Sequence, residues 1–336
     1  MLVAYDVDSH KPSLQSRSWN ALLRPTFKQL TRILPASRFE IRLIRAVSEW
    51  GSVLAGADTI PHVPVRLTTD AGDVRGEWVG REPVPGDKVM LYAHGSAYSV
   101  CSPRTHRAFI TALSRRTGRQ AFSLDYRLGP EHQFPAAHED IVAAYLWLLD
   151  RGHQPADIIL AGDSAGGHLS LSLCGELRRR GLAMPAGLVL FSPLVDGSFT
   201  VASDEYRRSG DPAVVPAYAR RLIRHYFRTA EPGDPRFDVS LEAGPDMPPT
   251  LIISGKGEMM RGDAMLWQRA QAAVQGRYCE VQIWPGQAHV FSIFGLVPEA
   301  RLTMVEVARF IAQLDNGWFD GHTEANAGDE PLAAEA

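Results

Sequence analysis

A chain of 336 residues with 45% apolar residues can bury a large core, and α/β folds of this size often form around one sheet. Its 35 Lys and Arg against 38 Asp and Glu leave a net charge of -3, which gives no global attraction to nucleic acid or to an anionic membrane. Three distant cysteines, Cys101, Cys174 and Cys279, suggest neither a disulfide framework nor a zinc site.

The opening stretch "MLVAYDVDSHKPS" lacks the basic start and apolar run of a signal peptide. No segment reaches the roughly 18 apolar residues that would span a bilayer. A cytoplasmic protein without integral membrane contact is the expectation; peripheral contact stays open. From about 14 to 55 the pattern is helical, with Ile41, Leu43, Ile44, Val47, Trp50 and Val53 at helical spacing. No strand is read before it, so residues 1–55 form an N-terminal addition packed onto the core by that apolar face.

Past Pro61 the pattern alternates and turns become frequent. Short unbroken apolar runs then recur at 88–93, 120–125, 158–162, 187–192, 250–254 and 280–284. Such runs suit strands buried on both faces of a parallel sheet. Helical patterns separate them at 105–116, 136–150, 165–180, 263–275 and 299–314. The alternation predicts an α/β fold with a doubly wound, mostly parallel sheet. An interval from about 196 to 249 breaks the rhythm and reads as an insertion over the C-terminal edge of the sheet, where α/β proteins bind ligands. The core thus covers 56–317, and the small, acidic, aperiodic end at 318–336 reads as disordered.

Within this order, Ser164 lies in Gly162-Asp163-Ser164-Ala165-Gly166, between an apolar run and the apolar-periodic "HLSLSLCGEL". A G-x-S-x-G pattern alone is weak, but a strand–turn–helix setting is what a nucleophile elbow needs. The two glycines keep the sharp turn free of clashes, and the helix start aims N–H groups at the serine. A serine hydroxyl needs a base, and His289, in the loop after the last strand, is the best placed of eleven histidines. Directly after the run 88–93 come His94-Gly95-Ser96-Ala97, small residues whose N–H groups could join that of Ala165 around an oxyanion. For the acid there are two candidates beyond the run 250–254. Glu258 sits in the loop "GKGEMM", while Asp263 reads as the N-cap of the following helix.

"HGSAYS" at 94–99, "DYRLGPEHQFPAA" at 125–137, "GDSAGG" at 162–167 and "GQAHVF" at 286–291 resemble the hormone-sensitive-lipase-like (bacterial family IV) esterases of the α/β-hydrolase superfamily. The resemblance covers roughly residues 60 to 315. It implies a Ser–acid–His triad, no cofactor, and a helical cap made of the N-terminal segment 1–55 and the insertion 196–249. Glutamate-bearing members of that family match at Glu258, which together with the N-cap reading of Asp263 assigns the acid to Glu258. Two departures stand out: Gly-Ser-Ala replaces the family's three glycines after His94, and "GKGEMMRGDA" replaces its Asp-Pro-Leu. By the same resemblance Asp125, Arg127 and Glu131 hold loops near the elbow.

The expected activity is hydrolysis of short- to medium-chain carboxylic esters, with a small-molecule ester as partner and a homodimer as one assembly open to the chain. Expected site residues are Ser164, Glu258 and His289, with the oxyanion loop Gly95, Ser96 and Ala97 and the N–H of Ala165. Two other readings use the same fold. One is a lactonase or acyltransferase on the same triad; the other is a ligand-binding protein that has lost a triad member.

Overall fold

The computed structural model describes residues 2–7, 11–231 and 233–321. The chain begins with strand β1 (Leu2–Asp6) and three helices, α1 (Leu14–Leu23), α2 (Phe27–Ile33) and α3 (Arg38–Leu54). A hairpin follows, β2 (His62–Thr69) and β3 (Gly72–Val79). Then come β4 (Val89–Ala93), α4 (Pro103–Thr117), β5 (Gln120–Leu124), α5 (Ala136–Asp150), β6 (Ile158–Asp163), α6 (Ala165–Arg179) and β7 (Gly187–Phe191). Helices α7 (Thr200–Ser209) and α8 (Pro216–Arg224) precede β8 (Thr250–Gly255), α9 (Arg261–Ala273), β9 (Cys279–Trp284), α10 (Pro298–Asp315) and α11 (Trp318–Gly321).

The nine strands form one sheet in the order β1-β9-β8-β7-β6-β4-β5-β3-β2. Only the β2–β3 and β3–β5 pairs are antiparallel. The six apolar runs are the central parallel strands, and their side chains divide between two buried layers as strand pleating requires. In β4, Val89, Leu91 and Ala93 join the cluster under α5, α6 and α9, while Met90 and Tyr92 join the one under α4 and α10. No helix among the described residues is long and apolar enough to cross a membrane.

Three expectations need correcting. First, a strand does precede the N-terminal helices: β1 pairs in parallel with β9, from Leu2 opposite Cys279 to Asp6 opposite Ile283. Residues 2–6 therefore extend the sheet rather than the helical segment. A short edge run carries no local pattern that marks it as a strand; only its partner β9 does. Second, the end of the core continues as α11, with Phe319 against Phe310 and Tyr278. The remainder of the tail expectation, 322–336, lies outside the described residues.

The third concerns α3. Its spacing does make a helix, but Leu43, Val47 and Trp50 face outward and only Ile41 of the apolar set is fully buried. The polar side is the packed one. Glu40 accepts from Ala36 N–H (2.8 Å) and from the Tyr218 hydroxyl on α8 (2.6 Å). Arg45 donates to the carbonyls of Ser99 (2.8 Å) and Gly129 (2.6 Å). Periodicity marks two faces of a helix but not which one meets the protein. Through Arg45, α3 is held over the loops leaving β4 and β5, and Lys28 of α2 donates to the carbonyls of Gly210 and Asp211 beside α7.

Away from the site, a buried ion pair joins α4 to β3: Arg107 meets both carboxylate oxygens of Glu77, at 2.6 and 2.7 Å. Removing one partner strands the other charge in the interior. Arg107→Leu is expected to lower unfolding free energy by about 3–5 kcal/mol, and Arg107→Leu/Glu77→Leu to recover most of that loss. Chemical denaturation of the single and double variants checks it.

Candidate active site

Ser164 sits between the last residue of β6 and the first of α6, with φ 50° and ψ -115°. A positive φ at a non-glycine residue is costly, by about 1–3 kcal/mol, and persists only where surroundings impose it. Here the Ser164 N–H donates to Phe191 O (2.9 Å), and its carbonyl accepts from His168 and Leu194 N–H groups. Space is equally constrained. A methyl on Gly162 would stand 2.6 Å from the Gly166 carbonyl, and one on Gly166 would collide with the Ala93 carbonyl. The glycines of the motif are therefore required by the approach of α6 to β4.

His289 lies in the loop after β9. Its Nε2 is 3.1 Å from Ser164 Oγ, and its Nδ1 is 2.6 Å from Glu258 Oε2. A carboxylate only accepts, so Nδ1 carries the proton and Nε2 is left to accept from the serine hydroxyl. Burial disfavours the charged imidazole. The Glu258 hydrogen bond and charge, with Asp211 and Asp163 behind, outweigh that and hold His289 above the ordinary histidine value. Glu258 is fully buried, while Ser164 and His289 keep partial exposure. Its second oxygen accepts from Ser192 Oγ (2.8 Å), Ser254 Oγ (2.5 Å) and Gly255 N–H (2.6 Å), which pins the carboxylate.

Ser192, Ser254 and Asp211 were not anticipated. Ser192 directly follows β7, with φ 47°, and also accepts from Val290 N–H (3.1 Å), the residue after the histidine. Asp211, between α7 and α8, accepts from Met259 N–H (3.0 Å), next to Glu258. Burial, opposed by His289, pushes its carboxyl up. Ser192 is the last residue of the fourth apolar run, 187–192, a signal of position only; Asp211 lies in the polar interval after it and carries none.

The loop after β4 corrects one oxyanion residue. Gly95 N–H donates to Asp163 Oδ1 (2.7 Å), so it is taken. The N–H groups of Ser96, Ala97 and Ala165 have no hydrogen-bond partner among the described residues. The Ser96 hydroxyl turns inward, meeting the Tyr126 hydroxyl (2.6 Å) and accepting from Tyr98 N–H (2.8 Å). It therefore does not narrow the space beside Ser164. His94 is buried and stacked on Tyr126 at 4.4 Å, and burial pushes its imidazole down to about 3. A neutral ring packed in this way serves the loop's shape. Asp163, which also accepts from Tyr92 OH (2.7 Å), ties this loop to the elbow.

Asp263 is not an N-cap. Helix α9 starts two residues earlier than the pattern indicated, so Asp263 is its third residue. Its Oδ1 accepts from Val195 (2.7 Å) and Asp196 (2.8 Å) N–H groups, holding the chain just after β7. Of the loop residues expected near the elbow, Arg127 instead pairs with Asp140 at the start of α5, and Glu131 with Arg45 of α3. A cavity of about 590 Å³ between β1, α7 and α9, lined by Tyr5, Arg208 and Arg261, contains none of Ser164, Glu258 and His289. Among the described residues no group of His, Cys, Asp and Glu is arranged to hold a metal ion.

Burial pushes the Asp263 carboxyl up to about 7, above the 3.8 of an exposed aspartate. The unfolded chain then releases this proton at lower pH than the native one. Native stability contributed by this group falls as pH rises from about 4 to about 7. Asp263→Asn keeps the acceptor and cannot ionise, so its unfolding free energy should lack that decline, as denaturant titrations across this pH range would show.

Residues 90–293 match the family model described as the alpha/beta hydrolase fold. An esterase of Acinetobacter venetianus is 32% identical over 90% of this chain and 92% of its own length. A carboxylesterase/phospholipase of Mycobacterium tuberculosis is 33% identical over 82% of this chain and 74% of its own. Among solved structures, the esterase EstE5 soaked with p-nitrophenyl butyrate superposes with a TM-score of 0.77 at 30% identity, covering 90% of this chain and 99% of that one. An esterase from the bacterial hormone-sensitive lipase family does so with a TM-score of 0.75 at 28% identity, covering 91% and 99%. With nine strands in one mostly parallel sheet and a serine at the turn after β6, this chain belongs to the hormone-sensitive-lipase-like esterases of the alpha/beta-hydrolase family.

Proposed function

We propose that the chain is a serine carboxylesterase acting on short- to medium-chain acyl esters through Ser164, Glu258 and His289. The observation that carries the reading is the continuous line of hydrogen bonds from Ser164 Oγ through His289 to Glu258. His289 Nε2 takes the proton of Ser164 as the hydroxyl oxygen attacks the ester carbonyl. Glu258 keeps the imidazole in the required tautomer and stabilises its charged form. The tetrahedral oxyanion is met by the free N–H groups of Ser96, Ala97 and Ala165, the last at the positive start of α6. His289 then protonates the leaving alcohol, and a water activated in the same way releases the acid from the acyl-enzyme.

Helices α1–α3 with α7 and α8 act in this reading as a cap over the strand ends. Support comes from Arg45 and Lys28, which hold α3 and α2 to loops at that side. The preference for short acyl groups is supported by the relatives. A Streptomyces hygroscopicus protein, 34% identical over 73% of this chain, is an acetyl-hydrolase. Butyrate esters are likewise the form soaked into EstE5.

Ser164→Ala should retain the fold and keep less than about one part in a thousand of native turnover of p-nitrophenyl butyrate. A fluorophosphonate should label the native chain at Ser164 and leave the variant unlabelled. Labelling at another residue would remove the nucleophile assignment. Across p-nitrophenyl esters of increasing chain length, turnover should be highest at the short end.

The protonated fraction of His289 sets the acid limb of the pH profile. Because its pKa is raised above 6.5, kcat/KM should climb through a value above 6.5, where the neutral base appears. Glu258→Gln removes the hydrogen-bonded charge, so the limb should shift to lower pH while the plateau drops by about a hundredfold or more. A limb left in place by Glu258→Gln would break the pairing.

A further inference from the structure

The side chains that the three N-terminal helices bury fully are polar except for Ile41. Ser16 of α1 is buried and its hydroxyl donates to Glu299 (2.7 Å). Lys28 and Thr31 are the buried residues of α2, while Phe27, Leu30 and Ile33 of the same helix are exposed. In α3, Glu40 is buried and Arg45 reaches the loops beneath it, while Phe39, Leu43, Val47, Trp50 and Leu54 form one outward stripe. Their spacing of three or four residues is that of a single helix face. Phe39 is 76% exposed, Trp50 73% and Leu54 82%. A contiguous apolar surface of this kind on an otherwise well-packed protein marks a face that meets something.

Charge identifies the occupant. Between Lys11 and Leu54 there are eight Lys and Arg and two acids, a local net of +6 in a chain whose total is -3. Both acids are turned in: Glu40 is buried against Tyr218, and Glu49 pairs with Ser102 and Arg104. Lys11, Arg17, Arg24, Arg32, Arg38 and Arg42 are all exposed, with Arg42 3.9 Å from the partly exposed Glu131. Two copies of such a face would bring like charges together. An anionic lipid surface would instead meet cations at the headgroup level and Trp, Phe and Leu side chains at the acyl boundary. That is the composition of a helix lying in a membrane interface.

We propose that the outward face of α2 and α3 is a docking surface for anionic lipid, holding the chain on a membrane without crossing it. The binding energy comes from burial of the α3 stripe together with attraction of the cationic rim to negative headgroups. Composition hides this, because the positive segment is diluted by the acidic remainder.

The test uses the full chain and phosphatidylcholine vesicles with or without phosphatidylglycerol, followed by sedimentation. The native chain should partition onto the phosphatidylglycerol vesicles, release with added salt, and shift Trp emission to the blue on binding. Phe39→Ser/Trp50→Ser should lower the partition coefficient by about tenfold or more, and Arg38→Glu/Arg42→Glu similarly. Far-UV circular dichroism and the thermal midpoint should be unchanged, since these side chains are exposed. If a variant does lose its helices, the blue shift and its salt dependence in the native chain decide the matter alone. Equal partition onto both vesicles, or none onto either, would overturn the proposal. So would a native dimer that Phe39→Ser/Trp50→Ser converts to a monomer, since the face would then belong to a second copy.

Discussion

Gly166 lies against the Ala93 carbonyl so closely that no side chain could be placed between them. This contact brings the start of α6 onto the end of β4, and much of the site follows from it. Residue 94 leaves β4 at that point, so the loop carrying Ser96 and Ala97 is delivered beside the turn carrying Ser164. Asp163 then closes the join by accepting the Gly95 N–H, and Tyr92 and the nearby His106 flank the same carboxylate. The strained φ of Ser164 is the local cost of this arrangement, imposed by its N–H bond to the Phe191 carbonyl and by the bonds its own carbonyl accepts from His168 and Leu194. The result is two backbone donors in the loop and one at the helix start that have no partner among the described residues.

The opposite half of the site is built on a buried carboxylate. Glu258 accepts three hydrogen bonds on one oxygen, which leaves the other directed at His289. Ser192 bridges the acid and the histidine loop, since its hydroxyl bonds Glu258 and accepts from Val290. Asp211 adds a link from a different layer, reaching from between α7 and α8 to the backbone next to Glu258. Lys28 of α2 in turn holds the Asp211 carbonyl at 2.6 Å. The outer helices are thus connected to the acid by a short chain of buried contacts.

Those outer helices show how an amphipathic pattern can be used in reverse. Apolar spacing in α3 normally implies that the apolar side packs inward. Here loop carbonyls at Ser99 and Gly129 needed donors, and Arg45 supplies them, so the polar side is buried and the apolar side left outside. Buried backbone acceptors are costly when unpaired, which is enough to decide the rotation of a helix whose two faces could both be covered.

The sequence by itself determined the central parallel strands, the elbow, and which serine and histidine would meet, because these rest on local pattern and on chain order within a family. It separated Glu258 from Asp263 with the help of the family resemblance, although Asp263 lies inside the first turn of α9 and does not cap it. Tertiary structure alone decided that Asp263 holds residues 195 and 196, that Gly95 has already given its N–H to Asp163, and that β1 joins the sheet edge. It also chose the face that α3 buries. Each of these depends on a partner distant along the chain, and a local pattern carries the periodicity of a segment but not the polar group waiting on the other side.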